Sequence, residues 1–374
     1  MSSRALWVFI ILITHILSGC PSSEDDLIND LGGGPVSSVT ESSDLGVSMS
    51  GSDSGGGDGD AGATDMMIGG ESGSGAPVGA TEMLDYELPI ERDEDLDPPF
   101  DPDEGPVDEM DGGVSEQTKS FKRGIASAFS VADDLSALMS GVSWWYNWSP
   151  NYNGAVSEFH TQGDVSFIPM TWNGNNPDQI RAFLDGHPET QYLLTYNEPN
   201  FQDQANMTPE YAASIWPIFE GIAEEYGVEL VGPALNYCGG CVVVDGSPIA
   251  SPFWVWMDLF LVEFQAQHGR EPRMDYTALH WYDYGLEDQI DEMVTRYGKP
   301  VWLTEFALWR WEDWCTPELE REWLLEMVAY LEAHPMVYRY AWFTGRRPDF
   351  PKINLLGAPG QLTELGEAYI NAPF

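Results

Sequence analysis

The chain has 374 residues, 61 acidic against 16 basic side chains, a formal net charge of −45 at neutral pH and an aromatic content of 13%. A balance this acidic excludes a nucleic-acid partner, because phosphates need a basic surface to displace their counterions. A neutral ligand fits better.

Residues 1–20 read as a targeting segment: Arg4 precedes an apolar stretch from Ala5 to Ile13, and Ser18 and Gly19 lead into Cys20. The stretch Leu17-Ser18-Gly19-Cys20 resembles the lipobox of a bacterial lipoprotein, which implies cleavage before Cys20 and acylation of that cysteine. An ordinary cleaved signal with an incidental Cys20 is the alternative. The apolar run falls short of the roughly 20 residues a transmembrane helix needs. The expectation is an exported protein, lipid-anchored to the cell envelope at an outer membrane or cell surface.

Residues 21–118 have no Trp, long Gly/Ser/Asp/Glu tracts such as Gly51 to Gly59, and 26 acidic side chains against the single basic Arg92. Such a segment cannot bury enough apolar surface to offset chain entropy. It is expected to be a disordered linker, kept extended by self-repulsion. The other large share of the negative charge lies on residues 119–374, which are dense in Trp and Tyr.

Eight apolar runs recur through 119–374: Arg123 to Phe129, Val142 to Trp148, Val165 to Trp172, Gln191 to Glu198, Glu229 to Leu235, Tyr276 to Tyr282, Val301 to Phe306 and Val337 to Phe343. Several are continuously apolar, as parallel strands covered on both faces should be. Helical stretches alternate with them. Tyr211 to Tyr226 places Ile215, Ile218, Phe219 and Ile222 at amphipathic spacing, with Thr208-Pro209 to open the helix and Gly227 to close it. Pro252 to His268 reads the same way, and Thr316 with Pro317 starts another helix that runs to about Ala333. Eight alternations over about 250 residues predict an α/β fold of the (β/α)8 TIM barrel type. An open doubly wound sheet is the runner-up, and no G-x-G-x-x-G turn supports it.

The fourth and seventh runs end in carboxylates, Glu198 in Asn197-Glu198-Pro199 and Glu305 in Thr304-Glu305-Phe306. In a barrel both would point into one mouth at the C-terminal strand ends. Two carboxyl groups so placed form an acid/base and nucleophile pair for cleaving a glycosidic bond, and a separation near ~5 Å would imply retention of configuration. Glu305 lies between Leu303 and Phe306, where a charge without a task is costly. Strand alternation puts Trp144, Tyr146 and Trp148 on one face and Trp145 and Asn147 on the other. Trp148, Trp172, Trp342 and Phe343 lie at or near strand ends, where flat rings can stack on sugars, although barrel packing would use them equally well.

With Cys20 acylated, Cys238, Cys241 and Cys315 remain, an odd number. A disulfide between Cys238 and Cys241 stapling a loop is preferred, and a bond from Cys315 to either stays open. No metal is expected, since zinc would need ligands that this spacing does not supply.

The ordered motifs Lys122-Arg123-Gly124, Ser143 to Trp148, Phe167-Ile168-Pro169-Met170, Asn197-Glu198-Pro199, His280-Trp281-Tyr282, Trp302 to Phe306, Arg339 to Phe343 and Leu362 to Gly366 resemble the Asl1-like glycosyl hydrolase domain, glycoside hydrolase family 128. The resemblance spans nearly all of residues 121–371. It implies a barrel of the retaining clan that acts on β-1,3-glucan, with Glu198 as acid/base and Glu305 as nucleophile. It further implies that Asn197 bonds the 2-hydroxyl of the sugar being cleaved, that Tyr282 donates to Glu305, and that His280 contacts substrate. The expected sugar-binding set is Asn197, Trp145, Asn147, Trp148, Trp172, His280, Tyr282, Trp342 and Phe343. The expected activity is an endo-acting glucanase that works as a monomer without a cofactor. Two rivals are a non-catalytic glucan-binding protein on the same barrel and a retaining hydrolase of another β-linked glycan. Retention of both glutamates favours the enzyme.

Overall fold

The computed structural model describes residues 118–161, 165–310 and 315–374. The leader with Cys20 and the acidic linker, but for its last residue, lie outside the described residues.

Eight strands follow the eight apolar runs: β1 (Arg123–Ala126), β2 (Trp144–Tyr146), β3 (Ser166–Phe167), β4 (Tyr192–Leu194), β5 (Glu229–Leu235), β8 (Tyr276–Trp281), β9 (Val301–Phe306) and β10 (Val337–Phe343), with a short hairpin of β6 (Val243–Val244) and β7 (Ser247–Pro248) after β5. The eight pair in parallel in the order β3-β2-β1-β10-β9-β8-β5-β4. The two edges then meet through a parallel bridge between Met170 and Leu194, where Thr171 N–H donates to the Leu194 carbonyl at 2.9 Å and Leu194 N–H to the Pro169 carbonyl at 3.0 Å. Closure satisfies edge groups that an open sheet would expose. The barrel expectation therefore holds, and the open sheet does not.

Strand alternation divides the core into two layers. Trp144, Tyr146, Met170, Leu194, Val231, Ala278 and Trp302 fill the barrel interior. Ile125, Trp145, Phe167, Leu193, Leu230, Leu303 and Trp342 face outward and pack with the helices. Gly124 is dictated by this filling, because a Cβ there would lie 2.3 Å from the Trp144 indole. At the N-terminal end of the barrel the interior is closed by Arg339. Its guanidinium carbon sits 4.2 Å from the Phe121 ring centroid, 5.0 Å from that of Tyr192 and 5.2 Å from that of Trp302, so the aromatic faces offset part of the cost of burying its charge. Burial lowers the Arg339 pKa.

Three strands have the expected bounds, and others are shorter. The run ending at Glu198 leaves the regular ladder after Leu194 and meets β5 again through the Asn197–Ala234 bridge, beyond which the backbone turns: Glu198 has φ +42°, and its N–H donates to the Ala234 carbonyl at 2.8 Å. The helices match more closely. Helix α1 (Pro209–Tyr226) is opened by the Thr208 hydroxyl, which accepts from Tyr211 N–H at 3.2 Å, and closed by Gly227 at φ +70°. Helix α2 (Phe253–His268) packs beside it, and α3 (Pro317–Ala333) carries the Thr316 cap. Pro217 lies inside α1 and cannot donate to the Ala213 carbonyl. His268 Nε2 of α2 donates to that carbonyl instead, at 3.1 Å, which couples the two helices.

Candidate active site

The C-terminal ends of the strands converge on two buried carboxylates. Glu305, the penultimate residue of β9 and 4% exposed, is held by three donors. Its Oε1 accepts from Trp148 Nε1 at 2.7 Å and from the Tyr146 hydroxyl at 2.9 Å, and its Oε2 accepts from the Tyr282 hydroxyl. Glu198, 7% exposed, accepts at Oε1 from Asn236 Nδ2 and from His280 Nδ1, both at 2.9 Å. His280 is fully buried on β8, and its Nδ1 also lies 3.5 Å from Glu305 Oε2. One carboxylate oxygen from each glutamate and a ring nitrogen of His280 all fall within 4.8 Å of one another.

Two side chains of this group, Glu198 at φ +42° and Trp148 at φ +61°, sit on left-handed backbone that residues other than glycine rarely adopt. Such a conformation costs on the order of 1–3 kcal/mol and persists where its surroundings over-determine it. Here the barrel supplies that constraint. Asn197 N–H donates to the Trp172 carbonyl at 2.9 Å and Asn197 bridges Ala234, so the turn that aims Glu198 inward is fixed on both sides.

Burial raises the Glu305 pKa; His280 opposes this, the Glu198 charge adds to it, and the Tyr282 and Trp148 hydrogen bonds oppose it. Burial alone would lower the His280 pKa, but the Glu305 charge and the Glu198 hydrogen bond outweigh it, and the value rises above 6.5. The imidazole is thus held toward its charged form by the two carboxylates that flank it. Tyr146 and Tyr282 are pushed well above the ordinary phenol range by burial and by Glu305, so both remain donors.

Above the carboxylates opens a cavity of about 540 Å³ lined by Trp148, Trp172, Asn197, Glu198, Phe201, Gln204, Asn236, Tyr237, Tyr282, Glu305, Trp309, Phe343 and Arg347. Of the expected sugar-binding set, Asn197, Trp148, Trp172, Tyr282 and Phe343 line this cleft. His280 lies behind it and bonds the glutamates. Trp145 and Trp342 require correction, since both are fully buried in the outward layer. Trp145 packs on Tyr152 and Phe167, and Trp342 packs on Phe306 while its Nε1 donates to the Ile353 carbonyl. Alternation is the reason: their neighbours Trp144, Tyr146 and Ala341 point inward, so these two point out. Asn147 is also corrected, because its side chain serves the following turn, donating to the Asn151 carbonyl and accepting from Ser149 N–H.

The cleft also uses residues absent from the expected set. Tyr146 shares the inward face with Trp148, and Asn236 directly follows the β5 run, so strand position pointed to both. Phe201, Gln204, Tyr237, Trp309 and Arg347 sit on loops, where no periodicity marks them. Cys238 and Cys241 are joined by a disulfide, the pairing preferred from their spacing, whereas Cys315 is a buried thiol that donates to Glu320 at 3.8 Å.

A family described as glycosyl hydrolase catalytic core matches residues 124–369. Among curated proteins, the chain is 28% identical over 265 residues to alkali-sensitive linkage protein 1 of Schizosaccharomyces pombe, covering 67% of this chain and 45% of that protein. The chain thus spans about half the length of that relative. Among solved structures, a GH128 subgroup II endo-β-1,3-glucanase from Pseudomonas viridiflava is 45% identical with a TM-score of 0.63, covering 69% of this chain and all of that one. A subgroup I endo-β-1,3-glucanase from Amycolatopsis mediterranei, solved with laminaritriose, is 25% identical with a TM-score of 0.51, covering 68% and 100%.

Proposed function

This chain belongs to the glycosyl hydrolase catalytic core family, in glycoside hydrolase family 128, and from that membership we propose that it is an endo-β-1,3-glucanase that cleaves with retention of configuration. The observation that carries the stereochemical part is the spacing. Retaining enzymes hold their carboxyl groups about 5–5.5 Å apart, whereas inverting enzymes leave about 6.5–9.5 Å for a water. Here one oxygen of each carboxylate lies within 4.8 Å of the other's, a close approach that favours the retaining arrangement.

Roles follow from the hydrogen bonds. Glu305 is the nucleophile: three donors orient it, and Trp148 Nε1 can only donate, which requires Oε1 to accept. Glu198 is the acid/base. Asn236 and His280 both engage its Oε1, so Oε2 carries the proton to the leaving oxygen. As the C1–O bond breaks, Glu305 forms a glycosyl ester and Glu198 becomes a carboxylate. Glu198 then removes a proton from water, which attacks C1 and releases Glu305. Asn197 Oδ1 is buried and makes no hydrogen bond among the described residues, and a sugar hydroxyl would satisfy it. The half-buried rings of Trp148, Trp172 and Phe343 supply flat apolar faces for the sugar rings.

A panel of polysaccharides with product sizing tests this reading. Linear β-1,3-glucan should yield oligosaccharides of several lengths from the first minutes, while β-1,4-glucan should remain intact. Release of glucose alone would contradict endo action, and cleavage confined to a β-1,4-linked polymer would contradict the linkage. We also propose export and anchoring through an acylated Cys20, on the strength of Leu17-Ser18-Gly19-Cys20. Globomycin should then leave an unprocessed precursor in the producing cell, and normal maturation in its presence would sink the anchor.

A further inference from the structure

Phe201, Gln204 and Tyr237 form a wall of the cleft that the reaction above does not use. They stand on the two loops that follow β4 and β5, and those loops are bound to each other. Val242 N–H donates to the Asn200 carbonyl at 2.8 Å, Gln202 N–H to the Gly240 carbonyl at 2.9 Å and Gln202 Nε2 to the Cys241 carbonyl at 2.7 Å. Phe201 also bridges Cys241 in antiparallel fashion. The segment these bonds grip contains Gly239 and Gly240, which have no side chains to pack and lose the most freedom on ordering. The Cys238–Cys241 disulfide closes this segment, and the Cys238 carbonyl accepts from Ser251 Oγ at 3.0 Å. Tyr237, directly before the staple, keeps 39% of its surface exposed and meets the Trp281 ring edge-on at 5.2 Å.

We propose that this pair of loops is the binding wall for glucosyl units on the leaving-group side of the scissile bond, and that the Cys238–Cys241 disulfide positions it. The inference rests on the glucanase reading. Glu198 delivers the proton to the leaving oxygen, so the departing chain lies on the side of Glu198, and both loops begin beside that residue: one continues from Pro199, the other from Asn236, which donates to Glu198. The ligand is a neutral β-linked pyranose, whose apolar face stacks on the exposed Tyr237 ring while Gln204 serves its hydroxyls. The disulfide acts through the loop: it limits the free loop to conformations near the bound one and so lowers the ordering cost of binding.

The test measures binding by the full-length chain carrying Glu305→Ala, so that substrate is not consumed, with β-1,3-gluco-oligosaccharides of two and six units. Tyr237→Ala, and separately Cys238→Ser with Cys241→Ser, should each weaken the six-unit ligand about tenfold and the two-unit ligand less than twofold. Reduction of the parent by a phosphine, followed by reoxidation, should reproduce and then reverse the loss, with near-ultraviolet circular dichroism reporting that the barrel stays folded. Equal weakening at both lengths, or none, would overturn the wall. Loss in Tyr237→Ala without loss in the serine variant or on reduction would overturn the positioning role of the disulfide. Failure of the parent to bind either oligosaccharide would instead sink the glucanase reading, and this inference with it.

Discussion

Glu305→Ala should lower kcat on linear β-1,3-glucan at least about a hundredfold, because the other carboxylate lining the cleft, Glu198, is engaged as the acid and leaves no group to form the glycosyl ester. The loss belongs to chemistry rather than to folding. Glu305 lies at the end of a strand whose hydrogen bonds to β8 and β10 do not involve its side chain. The substitution strips an acceptor from Trp148, Tyr146 and Tyr282, which costs about 1–3 kcal/mol for a buried donor left unsatisfied. The space vacated admits a small anion. Azide should therefore restore part of the rate by attacking C1 from the nucleophile's side, giving a sugar azide of α configuration. Full activity of the variant, or a β-azide, would remove Glu305 from the nucleophile role.

Glu198→Gln should also cost at least about a hundredfold on the polysaccharide, for a different reason. An amide of the same shape can still accept from Asn236 and His280 at Oε1, so the site keeps its form, but it has no proton to give. The deficit should depend on the leaving group. An aryl glycoside whose phenolate departs unaided should form the glycosyl ester at close to the parent rate, leaving hydrolysis of that ester slow, so a burst of phenolate should precede a slow steady state. A deficit equal for the polysaccharide and the aryl glycoside would contradict the acid role. The two variants thus separate the carboxylates by chemistry as well as by magnitude.

What could be read from the chain was what periodicity and strand position encode. Runs such as Glu229–Leu235, Val301–Phe306 and Val337–Phe343 returned as strands with those bounds because parallel strands buried on both faces leave a continuous apolar record. Helix ends at Thr208, Gly227 and Thr316 were legible because capping depends on one or two side chains. Glu198 and Glu305 were legible as the last features of apolar runs. Trp342 shows where strand position misleads: nearness to a strand end does not bring a ring into the cleft, because alternation decides which way it points, and alternation turns Trp145 outward as well. His280 is expected to touch sugar, whereas its place beside the carboxylates comes from the pairing of β8 with β9, which sets it next to Glu305 and which local sequence does not record. The wall of Phe201, Gln204 and Tyr237 leaves no mark in the sequence pattern, because loop residues owe their positions to hydrogen bonds between segments distant in sequence.

The proposed action of Glu198 and Glu305 as one retaining pair is open to direct measurement. The measurement that tests it is a proton NMR time course of the reducing end first released from a β-1,3-gluco-oligosaccharide, recorded before mutarotation. The β anomer should appear first and the α anomer only later, by equilibration. An α anomer released first would mean a single displacement by water, and would contradict the proposed ester on Glu305.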